Sequence, residues 1–73
     1  MQSPKYILRA LSTSYAIETG RMTLFANTAH EAQEAAITLL KGLGYVGDLR
    51  TERLPDGSTA IWLEDTSPSN VSL

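Results

Sequence analysis

The chain has 73 residues and no cysteine, and six basic against eight acidic side chains give a formal net charge of −2. That length allows one domain, which buries only roughly 60% of the surface its unfolded form exposes, so the core must be thin. The missing cysteines exclude disulfides, thiolate metal sites and a cysteine nucleophile and fit a reducing, cytoplasmic setting, while a pI near 5.1 argues against a general attraction to phosphate backbones. No stretch approaches the roughly 20 apolar residues that span a bilayer, and Met1 to Lys5 lead into no apolar run of the signal-peptide kind. The expectation is a soluble, unexported protein with no membrane partner.

In chain order, Lys5 to Leu11 is rich in strand formers and runs into Ser12-Thr13-Ser14, which reads as a turn. Tyr15 to Glu18 and Arg21 to Ala26 are extended pieces around Thr19-Gly20, where glycine can supply the positive φ of a tight hairpin; they form two strands or one bent strand. Thr28 followed three residues later by Glu31 is a capping-box signature and starts a helix. Ala29, Ala32, Ala36, Leu39, Leu40 and Leu43 share its apolar stripe, with Glu31, Glu34, Thr38 and Lys41 opposite, and Gly42 and Gly44 stop it. Tyr45 to Leu54 and Thr59 to Glu64 form a hairpin through Pro55-Asp56-Gly57-Ser58. The predicted fold is α+β: an antiparallel sheet of four to five strands, β-β-(β)-α-β-β, with one helix packed on one face. Residues 1–64 make the single domain, and 65–73 are expected to be a flexible tail.

Strand alternation assigns Tyr6, Leu8, Ala10, Met22, Leu24, Ala26, Ile61 and Leu63 to the face under the helix. The opposite set, Ile7, Arg9, Leu11, Thr23, Phe25 and Trp62, mixes charge with large apolar groups, and a single helix cannot cover both faces. Left open, Ile7, Leu11, Phe25 and Trp62 with Arg9 have the composition of a protein-binding hot spot. Two other arrangements compete: the loop at residues 12–16 or the tail folds over this face, or a register change exchanges the faces. Asp48, Arg50, Glu52 and Arg53 read as a charged edge that discourages aggregation, the alternative being that these charges orient a charged partner, with Arg50 counted among the contact residues.

Candidate chemistry is sparse. His30 and Glu34 lie four apart on the helix, but zinc needs at least three protein ligands, so a solvated surface pair is the better reading. Ser12, Thr13, Ser14 and Tyr15 have no adjacent base. Gly42-x-Gly44-x-x-Gly47 spells G-x-G-x-x-G yet follows a helix and enters a strand, the reverse of a phosphate-binding turn.

The run from Leu24 to Ala35 resembles the strand, cap and helix junction of many small α+β domains, HicB-like antitoxins among them. It consists mostly of capping chemistry and implies no function. Size, acidity and the missing catalytic set fit the small regulators and inhibitors of phages and mobile elements, anti-CRISPR proteins among them, as a matter of size class. The expected function is therefore non-enzymatic binding of a partner protein through the open sheet face or the acidic outer face of the helix, with a second copy of the chain as one form of partner. No cofactor is expected, and the contact residues are Ile7, Arg9, Leu11, Phe25, Trp62 and Arg50. The alternative is a single-stranded nucleic-acid binder that stacks bases on the aromatics and uses the arginines on phosphates, against which the net acidity weighs.

Overall fold

The computed structural model describes residues 2–65. Five strands and one helix follow the chain as β1 (Tyr6–Ala10), β2 (Tyr15–Glu18), β3 (Thr23–Ala26), α1 (Ala29–Gly42), β4 (Asp48–Arg53) and β5 (Thr59–Glu64). They make a single sheet in the order β3-β2-β1-β5-β4, with every neighbouring pair antiparallel. Residues 15–26 are thus two strands. Thr19 donates its N–H to the Met22 carbonyl at 3.0 Å and Gly20 takes a φ of 92°, closing a two-residue hairpin loop. β4 is shorter than expected, because Tyr45 to Gly47 belong to the connection from the helix. The tail expected over residues 65–73 lies, beyond Asp65, outside the described residues.

The helix begins at Thr28, whose Oγ1 accepts the N–H of Glu31 at 3.1 Å. In return Glu31 reaches back one residue further than a capping box requires and accepts the N–H of Asn27 at 3.1 Å. At the far end Gly44, not Gly42, does the stopping. Its φ of 100° lets its own N–H reach the Lys41 carbonyl and the N–H of Tyr45 reach that of Leu40, which satisfies carbonyls the helix would otherwise orphan. Gly42 is the last helical residue. No helix among the described residues is long and apolar enough to cross a membrane.

Ala32, Ala36 and Leu40 pack on Tyr6, Ile17, Ile61 and Leu63, with Leu8, Leu24, Ala26, Leu39 and Leu49 around them. The helix therefore covers the face carrying Tyr6 and Leu8, and the arrangement with exchanged faces does not occur. Two members of the expected stripe fall outside this core: Ala29 is exposed and Leu43, the C-cap, is 64% exposed because the chain has left the helical path there. Four side chains, Ile17, Leu40, Ile61 and Leu63, are the largest to be fully buried, each contributing about 1.5–3 kcal/mol of transfer free energy.

The strand carrying β1 starts irregularly. Tyr6 faces Ile61, yet Ser3 donates its N–H to Leu63 at 2.8 Å, so three steps on one strand match two on the other. The extra residue is a bulge at Pro4-Lys5. Ser3 is buried, and its hydroxyl accepts the Leu63 N–H at 2.8 Å and donates to the Pro4 carbonyl at 3.0 Å.

Gly47 sits where β4 turns against the end of β5. Its φ is 132°, and a Cβ there would overlap the backbone of Glu64 and Asp65. Gly47→Ala is expected to destabilise the fold by about 2–4 kcal/mol. Gly42→Ala, in open space on the helix, is expected to be neutral or stabilising by about 0.5–1 kcal/mol. Urea denaturation of the two variants checks both values.

Candidate functional site

Pairing register fixes what lies across the uncovered face. Arg9 stands beside Ala16, which stands beside Phe25, and Ile7 stands between Glu18 and Ala60. Trp62 stands beside Arg50. The loop between β1 and β2 does not fold over this surface, because Leu11 donates its N–H to the Ser14 carbonyl at 2.8 Å and so extends the hairpin in the plane of the sheet. All six expected contact residues sit on this face or its rim, but they are not one cluster. Phe25 and Trp62 are separated by three strand spacings of about 4.8 Å and four residue steps of about 3.4 Å, roughly 20 Å in all.

The two ends differ in chemistry. At the Trp62 end, the Lys5 ammonium lies 4.3 Å from the ring centroid, a cation–π contact made available by the bulge at Pro4-Lys5. Lys5 also reaches Glu52 at 3.9 Å. Glu64 accepts the indole N–H at 3.4 Å and lies 3.7 Å from the Arg50 guanidinium. Long charged side chains therefore screen Trp62, which is only half-buried by the sheet itself.

At the centre, Arg9 is held by two carboxylates. Its Nε and Nη2 donate to Glu18 at 3.0 and 3.3 Å, and its Nη1 donates to Asp56 at 3.1 Å. Asp56 in turn accepts the hydroxyl and backbone N–H of Ser58, so the Pro55–Ser58 turn is tied to the middle of the sheet face. The Ser58 bonds, with Arg9 adding to them, hold the Asp56 carboxyl down at about 2. Arg9 also lowers Glu18 below its ordinary range.

Among the described residues, the Phe25 end has none of this cover. Phe25 is 67% exposed and Leu11 44% exposed, while Ala16, between Arg9 and Phe25 in the pairing register, is buried. The arrangement is an aromatic anchor on a regular strand, bounded on one side by the Arg9–Glu18 ion pair.

A second apolar surface, on the helix side, escapes sequence reasoning. Pro4, Tyr6, Met22, Leu39 and Leu43 line a groove of about 590 Å³ between the end of α1 and the β2–β3 turn. Met22 is 55% exposed there. Its only sequence signal is that Leu43 continues the helical stripe past the glycine that ends the helix. His30 and Glu34 are exposed on α1, away from both surfaces. Comparison with models of known protein families, with curated proteins and with solved structures gives no match.

The carboxylates around Arg9 are depressed in the folded state, so their contribution is complete above the unfolded carboxylate value near 4 and is lost as pH falls towards about 2. The midpoint of urea unfolding is expected to fall between pH 5 and pH 2. Asp56→Asn is expected to show a shallower fall over that window, and an unchanged slope would contradict the role given to this carboxylate.

Proposed function

We propose that this domain is a non-enzymatic protein-binding module, a small regulator or inhibitor that acts by occupying a partner's surface with the Phe25 corner of its open sheet face. The observation that carries the reading is the exposure of Phe25 on a regular strand, 67% among the described residues, with Leu11 nearby. Aromatic anchors presented on rigid elements dominate protein interfaces because they bury a large area at small entropic cost. Arg9 and Glu18, paired before any partner arrives, supply a polar rim beside that anchor.

The charge distribution supports a protein partner over a nucleic acid. Lys5, Arg9 and Arg50, the cations of this face, each lie within ion-pair distance of a carboxylate, so phosphates would have to displace Glu52, Glu18, Asp56 or Glu64 to reach them. The screened position of Trp62 moves the centre of the proposed contact from the indole to Phe25.

The test is affinity capture from the native host, followed by titration with the purified partner. The wild-type chain is run beside Phe25→Asp and Glu34→Lys, and circular dichroism checks the fold of each. Phe25→Asp is expected to weaken the partner on the order of 30-fold, the size of a hot-spot loss, with Glu34→Lys within about twofold of wild type. A folded Phe25→Asp chain that keeps full affinity would contradict the proposal.

A further inference from the structure

The two edges of the sheet are built differently. β4 carries Asp48, Arg50, Glu52 and Arg53 in six residues, whereas β3 is Thr23-Leu24-Phe25-Ala26, without a charge or a proline. Charged edges resist pairing with another chain, and uncharged ones invite it.

Which groups face outward from β3 follows from the hairpin. Thr19 and Met22 are a hydrogen-bonded pair. Alternation then directs the backbone groups of Leu24 and Ala26 inward to Ile17 and Tyr15, and those of Thr23 and Phe25 outward. The next outward amide, that of Asn27, is already taken by the Glu31 carboxylate. The open edge thus consists of two N–H and two C=O groups, on Thr23 and Phe25, and Leu24 lies midway between these two outward residues.

We propose that this edge binds the same edge of a second copy, in an antiparallel dimer whose twofold axis passes through Leu24. Thr23 of each chain then exchanges both backbone bonds with Phe25 of the other. All four outward groups of each strand are used and none is left over. Leu24 meets its own copy on the helix side, and the two Phe25 rings become diagonal neighbours on the open face, about 7–8 Å apart at the backbone and within reach of one another.

Charge complementarity at both ends selects this occupant and this register. Arg21 is exposed and has no ion-pair partner among the described residues. In the twofold arrangement it falls opposite Asn27 of the other chain, where Glu31 sits at the edge line holding the Asn27 N–H. Each dimer gains two Arg21–Glu31 pairs by this placement. Because the axis closes the assembly and the β4 edges are charged, the result is a ten-stranded sheet and not a fibre. This inference concerns the strand edge and does not rest on the protein-binding role given to the sheet face. A four-residue edge strand makes a short contact, so the dimer is expected at high protein concentration.

Sedimentation velocity from about 10 μM to about 1 mM tests it, with wild type beside Thr23→Pro and Thr51→Pro. Each proline replaces an outward residue, whose N–H makes no ladder bond within the chain, Thr23 on one edge and Thr51 on the other. The wild type and Thr51→Pro are expected to pass from a 7.9 kDa monomer to a dimer, and Thr23→Pro to stay monomeric with unchanged circular dichroism. Arg21→Gln is expected to weaken association about fivefold, as two exposed ion pairs would. Amide exchange on the wild type gives a reading independent of any variant: the Thr23 and Phe25 amides slow with rising concentration and the Thr51 amide does not. A wild type that remains monomeric throughout, a dimer that survives in folded Thr23→Pro, or Thr23 and Phe25 amides indifferent to concentration would each overturn the proposal.

Discussion

The packing of Ala32, Ala36 and Leu40 against Ile17, Ile61 and Leu63 is the contact on which the remaining features depend. Small residues at the first two positions bring the helix close to the sheet, and Leu40 fills the wider end. A 14-residue helix is about 21 Å long and about 10 Å across, whereas five strands span about 19 Å, so one helix covers the middle of one face and no more. The opposite face and both strand edges are left to be managed by side chains.

The chain manages them unevenly. Over β5 and β4, Lys5, Arg50, Glu52 and Glu64 form a charged layer that screens Trp62. Over β1, Arg9 joins Glu18 to Asp56 and so links a strand neighbour to a distant turn. Over β3 no such layer exists among the described residues, and Phe25 stands exposed on an uncharged edge. The same half of the molecule thus offers an apolar anchor beside an uncharged strand edge, whereas the other edge, β4, carries Asp48, Arg50, Glu52 and Arg53. This asymmetry is why both proposed contacts are placed at the β3 side.

Much of this was legible in the sequence where the signal is local. The Thr28–Glu31 spacing marks the helix start, Pro55 to Ser58 marks a turn, and the alternation in β1, β3 and β5 assigns their faces correctly. Ile17 is fully buried but absent from the expected core, because the phase of β2 depends on how many residues Thr19-Gly20 consumes in turning. The partners of Arg9 lie 9 and 47 residues away in the chain, so no spacing rule could show that this arginine is already engaged. Ser3 is similarly hidden: its burial against Leu63, 60 residues distant, exists only because the bulge brings it there. In the candidate site, the residue types were readable and their grouping was not, since the roughly 20 Å between Phe25 and Trp62 follows from strand order.

α1 covers the Tyr6–Ile17–Ile61 face and leaves Phe25 exposed among the described residues. Solution NMR with a soluble paramagnetic chelate, reading relaxation enhancement at each aromatic ring and buried methyl group, checks this arrangement. Strong enhancement is expected at the Phe25 ring, weak enhancement at Tyr6 and at the Ile17 and Ile61 methyls, and an intermediate value at Trp62. Strong enhancement at Ile17 and Ile61 with a protected Phe25 ring would contradict this arrangement and place the helix on the other face.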